Sequence, residues 1–174
     1  MTMDDAKVIF LDIDGVLNHV EYGLDTYHDH FAEANIPLDK DNVDALEKLL
    51  NAEKDAKIVW STDWRFCQDE KWDKWTNPRK VLETLPFMKD RIIGITPKKF
   101  SSEHFHEIHW WLKAHPNVTK YLILEDGYFP DEWFGLEKHL MRIDQTKGFI
   151  ENNIQQAQEI LNKEINDGNR ARRD

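Results

Sequence analysis

This chain is short of the things that would place it outside the cell, in a membrane or along a nucleic-acid duplex. Among 174 residues there is one cysteine, Cys67, so no intramolecular disulfide can form, and a reduced thiol in a cytoplasmic protein is expected. No apolar run approaches the roughly 20 residues needed to cross a bilayer. The opening "MTMDDAK" has neither the basic nor the apolar region of a secretory leader, and none is expected. Basic charge is scarce: 23 Lys and Arg stand against 33 Asp and Glu, for a net charge of -10. That balance argues against a broad nucleic-acid-binding face, though not against a local basic patch. There is no internal repeat and no low-complexity segment.

What is present is a regular alternation of short apolar runs and amphipathic stretches. "KVIFLDI", "KIVWST", "RIIGI", "KYLILED" and "HLMRID" read as strands, mostly apolar without strict alternation. "DNVDALEKLLN" reads as a helix with Val43, Leu46, Leu49 and Leu50 on one face and Asp39 or Asp41 at its start. "SSEHFHEIHWWLKAH" reads as another, capped by Ser101 or Ser102, with Phe105, Ile108 and Leu112 inward. "FIENNIQQAQEILNKEI" is the last, and "NPRKVLETL" a short one. Strands separated by helices predict an α/β fold: a Rossmann-like three-layer α/β/α sandwich around a mostly parallel sheet. The length fits a single domain over 1–174, with small insertions at about 19–37 and 66–89.

The strands end in chemistry. Asp12 and Asp14 close the first, Ser61, Thr62 and Asp63 the second, and Glu125 and Asp126 the fourth. In a parallel sheet these ends share one edge, where ligands of such folds bind. Converging carboxylates repel one another and rise in pKa unless a cation joins them. Oxygen donors without a cysteine and histidine ligand cluster fit magnesium rather than zinc. Taken one at a time, aspartates after strands are commonly turn residues or helix caps. Three such ends together point to a site.

The segments "DIDGVLN", "IVWSTDWR" and "YLILEDG" resemble, in that order, the first, second and fourth motifs of the haloacid dehalogenase-like (HAD) superfamily of phosphatases and phosphotransferases. Tryptophan after the second motif and the helix "EIHWWL" bring the chain closest to a subgroup associated with RNA-repair proteins and phage or bacterial phosphatases. The resemblance implies Asp12 as nucleophile and Asp14 as general acid. It implies a magnesium ion held by Asp12, the backbone carbonyl of Asp14 and Asp126, with Glu125 behind them. It implies a second-motif hydroxyl on the phosphoryl group, Thr62 in preference to Ser61, and a lysine, Lys99 in preference to Lys98. Arg65 is the runner-up phosphate clamp, and Trp64 is the aromatic placed to stack on a base.

The reading that results is a magnesium-dependent phosphomonoesterase working through an aspartyl-phosphate on a nucleotide or an oligonucleotide end. A phosphotransferase or a non-catalytic magnesium-binding module are the alternatives. Histidines 104, 106 and 109 are read as helix-face residues, because their spacing lacks a paired carboxylate for zinc.

Overall fold

A computed structural model describes residues 7–19, 36–67, 71–72, 75–98, 103–127 and 135–163. Lys99, Ser101, Ser102 and most of the first expected insertion lie outside the described residues.

Five strands form one sheet in the order β5-β2-β1-β6-β7. They are β1 (Lys7–Leu11), β2 (Lys57–Trp60), β5 (Ile92–Ile95), β6 (Lys120–Glu125) and β7 (Leu140–Arg142), and every neighbouring pair is parallel. All five expected strands are present. The connecting helices are α1 (Lys40–Ala52), α2 (Pro78–Glu83), α3 (His104–Ala114) and α4 (Ile154–Leu161). A two-stranded antiparallel ribbon, β3 (Lys71–Trp72) and β4 (Trp75–Thr76), falls inside the second expected insertion.

Alternation along β1 builds a core on each face of the sheet. Ile9 and Leu11 pack with Leu46, Leu49 and Leu50 of α1 and with Ala157, Ile160 and Leu161 of α4. Val8 and Phe10 face the other way, onto Phe105, Ile108, Trp111 and Leu112 of α3. The Phe10 and Trp111 rings meet edge-on with centroids 5.3 Å apart. Burial on both faces explains why the strands read as unbroken apolar runs. The chain is thus a Rossmann-like α/β fold.

Local signals set the ends of the helices. Asp39 caps α1, its carboxylate accepting from the backbone N–H groups of Asp41 and Asn42. At α3 the cap position belongs to Glu103, which makes no side-chain capping bond. The first turn of the expected last helix is a tight 3-10 turn, Glu151–Asn153, so the α-helix itself starts at Ile154. Among the described residues no helix is long and apolar enough to cross a membrane.

β1 sits at the centre, with β2 and β5 on one side and β6 and β7 on the other. The direction of winding therefore reverses between β1 and β6. Folds of this type bind ligands at such a switch point, beyond the carboxyl ends of the strands.

Candidate active site

Asp12 extends β1 by one residue. Its backbone N–H donates to Leu124 O at 3.1 Å, which carries the ladder to β6 just past the last paired residue. The side chain is buried, and its Oδ1 accepts from Ile13 N at 2.7 Å. Beside it Glu125 ends β6, equally buried, with Oε1 accepting from Gly127 N at 3.1 Å. Two buried carboxyls at neighbouring strand ends lose hydration and repel each other. Burial, then the charge of Glu125, pushes Asp12 well above the usual carboxylate range. Burial is also the main cause that takes Glu125 up to about 8.

His104 is the cation-capable group between them. Its Nδ1 lies 2.6 Å from Glu125 Oε2 and 3.8 Å from Asp12 Oδ2, and its Nε2 lies 3.9 Å from Asp63 Oδ1. A helix that leads into a parallel strand begins at the strands' carboxyl edge, so the first residue of α3 arrives at the site. The helix-face reading of His104 is therefore corrected: it points into the acidic cluster. His106 stays near its own helix, 3.3 Å from Glu103 Oε2. His109 is buried.

Ligand atoms of Asp12, His104 and Glu125 all lie within 4.8 Å of one another, close enough to hold one metal ion. Asp126 approaches from the next position. A Cβ on Gly15 would stand 2.3 Å from Asp126 Oδ2, so only glycine leaves room for that carboxylate. Gly15 also has φ +71°, a backbone region that side chains disfavour. The "DxDG" turn thus lets the acid after β6 reach over the loop after β1.

Asp14 sits on that loop. Its Oδ1 accepts from Asn18 Nδ2 at 3.1 Å and its Oδ2 from Trp64 Nε1 at 3.0 Å. Asn18 is fully buried and also ties the turn together, accepting from Gly15 N at 2.8 Å and donating to Pro37 O at 2.9 Å. Although Asp14 is an exposed residue, desolvation of its carboxyl raises its pKa, and the bonds from Asn18 and Trp64 oppose that rise.

The second motif supplies two hydroxyls. Ser61 N donates to Leu11 O at 3.0 Å, placing the end of β2 beside the end of β1. Ser61 and Thr62 are both buried, and the hydroxyl oxygen of each lacks a hydrogen-bond partner. Buried polar atoms are normally satisfied, so an unpartnered hydroxyl at this edge of the sheet offers a donor to an external acceptor.

Trp64 and Arg65 depart from their expected roles. Trp64 is only 7% exposed and its ring belongs to the core, which leaves no face for a base. Its polar edge is spent on Asp14. The Arg65 guanidinium is fully buried. It pairs with Glu107, donates to the Thr62 carbonyl, and donates through Nε to Thr96 O at 3.2 Å. It braces the second motif against β5 and α3 from inside the fold, instead of facing a phosphate. Lys98 is exposed, with its Nζ 5.1 Å from the Phe66 ring centroid.

Residues 8–154 match the model of the HAD domain in Swiss Army Knife RNA repair proteins. The chain belongs to that family. Neither a curated protein nor a solved structure matches it. The HAD assignment agrees with the parallel sheet and with the clustering of Asp12, Ser61, Thr62, Glu125 and Asp126 at one edge. Sequence reasoning missed two contributors to this HAD site, His104 and Asn18. Asn18 lay inside the quoted first motif, and its signal was an amide three residues after the turn glycine.

Proposed function

We propose that this HAD domain is a magnesium-dependent phosphomonoesterase that works through an aspartyl-phosphate on Asp12. The observation that carries this reading is the pair of unpartnered buried hydroxyls, Ser61 and Thr62, next to a buried carboxylate at the adjoining strand end. A phosphoryl group placed there meets a nucleophile and a hydroxyl donor.

The donor set fits a hard divalent cation: it is rich in carboxylate oxygen, and burial leaves its members costly to ionise together. Asp12, Glu125 and Asp126 are the residues that would hold it, with His104 at the same cluster. Bound magnesium would supply the positive charge that offsets these anions and the charge of the phosphate.

The remaining chemistry belongs to the chain. An Asp12 oxygen attacks phosphorus, and the bond from phosphorus to the leaving oxygen breaks as the new bond forms. Asp14 gives its proton to the departing oxygen, a role suited to a carboxyl whose pKa lies above the ordinary value. Water then attacks the phosphorus of the aspartyl-phosphate, Asp14 takes up the proton, and Asp12 and inorganic phosphate are released. Ser61 and Thr62 hold the phosphoryl oxygens throughout.

The substrate class we favour is a nucleotide or the terminal phosphate of a nucleic acid. The RNA-repair setting of the family supports it. Phosphate release should be followed from p-nitrophenyl phosphate, sugar phosphates, mononucleotides and 3′- or 5′-phosphorylated oligonucleotides, with magnesium and with EDTA. Magnesium-dependent release, greatest from nucleic-acid ends or nucleotides, is expected. Equal release in EDTA would overturn the metal assignment, and a preference for sugar phosphates would overturn the substrate class.

A further inference from the structure

With Trp64 buried, the exposed aromatic next to the second motif is Phe66. Phe66 and Ile95 are the exposed large apolar side chains among the described residues, at 36% and 44%. A single exposed apolar side chain needs no explanation by itself. Phe66 differs in where it stands and in what surrounds its ring.

Phe66 ends the 3-10 turn Asp63–Phe66. In such a turn residues three apart eclipse and the chain rises about 2 Å per residue, so Phe66 shares the face of Asp63, about 6 Å further along. Asp63 is at the site: its Oδ1 is 3.9 Å from His104 Nε2, and His104 Nδ1 is 3.8 Å from Asp12 Oδ2. The turn thus sets Phe66 on the same side as Asp63.

Two cationic groups lie against its ring. The Arg65 guanidinium carbon lies 4.1 Å from the ring centroid, and Arg65 is itself fixed by Glu107, Thr62 O and Thr96 O. The ammonium of Lys98 lies 5.1 Å from the same centroid. In a chain of net charge -10, an exposed ammonium over an exposed ring beside a phosphate site is a local pairing of the two groups that single-stranded nucleic acid needs. A ring backed by an immobilised guanidinium loses little freedom when a base stacks on it.

We propose that Phe66 and Lys98 form the nucleic-acid side of the site. The base next to the terminal phosphate stacks on Phe66, and the following backbone phosphate is met by Lys98. This rests on the reading of the Asp12 edge as a phosphate site and assigns the residues that choose its substrate.

The test is equilibrium binding by the full, unsubstituted chain, with calcium in place of magnesium so that the site is filled and turnover does not intervene. The two probes are inorganic phosphate and a 5′-phosphorylated dinucleotide. The dinucleotide binds more tightly than phosphate. Phe66→Ala lowers that ratio of affinities by about 5- to 150-fold, the range that loss of one base–aromatic stack gives, and Phe66→Tyr restores it. Lys98→Ala reduces the slope of log affinity against log salt for the dinucleotide by about 0.7, one phosphate of a single strand. A ratio unmoved by Phe66→Ala, or a dinucleotide that binds no better than phosphate, overturns the proposal while leaving the phosphate site standing. Dinucleotide binding that depends on Phe66 without any binding of inorganic phosphate would uphold Phe66 and overturn the reading of the phosphate site. Absence of binding by either probe overturns both.

Discussion

The indole N–H of Trp64 donates to Oδ2 of Asp14 at 3.0 Å. The aromatic that follows the second motif is thereby coupled to the proposed general acid on the first. Because this bond stabilises the anion, it holds the Asp14 pKa down against the rise that burial causes. Trp64→Phe keeps the packed ring and removes the donor. The variant should extend hydrolysis of alkyl phosphates to higher pH, since Asp14 keeps its proton longer, and should lower their maximal rate by roughly tenfold, on the order expected for a lost bond to a charged group. p-Nitrophenyl phosphate, with its good leaving group, should change less. Steady-state pH profiles with both substrates check this, and identical shifts for the two would argue against Asp14 as the acid.

The hydroxyls of Ser61 and Thr62 invite a test that separates binding from stability. Both are buried and lack partners. Removing an unsatisfied buried hydroxyl relieves a desolvation cost of about 1–3 kcal/mol. Thr62→Val and Ser61→Ala should therefore leave urea stability unchanged or raised while KM for a phosphomonoester rises several-fold. Loss of stability together with unchanged KM would show that the hydroxyls serve the fold.

Gly15 and Asp126 form a steric pair. Since a Cβ at position 15 would stand 2.3 Å from Asp126 Oδ2, Gly15→Ala should displace that carboxylate. Left-handed backbone at φ +71° adds a strain of about 1 kcal/mol. The magnesium concentration for half-maximal activity should rise in Gly15→Ala, as it should in Asp126→Ala. The double variant should be little worse than either single one, which a magnesium titration of the set would show.

The buried acids predict an unusual pH dependence of stability without metal. A Glu125 pKa raised from 4.5 to about 8 means that the folded chain binds a proton the unfolded chain has released across that interval. Stability then falls as pH rises from about 4.5 to about 8, by up to about 1.4 kcal/mol per pH unit for one such group. Asp12 is shifted in the same direction and adds to the slope. Denaturation in EDTA should show this decline, Glu125→Gln should flatten it, and magnesium should oppose it by favouring the ionised forms.

The sheet was readable because both of its faces are buried, which turns each strand into a run of apolar residues bounded by turns. The convergence of Asp12, Thr62 and Asp126 followed from parallel strands alone. Three things were harder to read. The ribbon Lys71–Trp72 and Trp75–Thr76 pairs two residues with two, too few for a periodic signal. The inward turn of Trp64 and the outward turn of Phe66 depend on the 3-10 winding after Thr62, and composition does not encode that winding. His104 looked like one of several helix histidines, and its position as the first residue of α3 was the usable clue.

The central claim is that Asp12 is the nucleophile. The direct measurement is acid quenching during turnover of a phosphomonoester, followed by peptide mass spectrometry of the segment containing Asp12. The account predicts phosphate on Asp12, absent from Asp12→Asn, which should also lose turnover while retaining the native circular dichroism spectrum. Turnover without an adduct, or an Asp12→Asn variant active to within about tenfold of the parent chain, would contradict it.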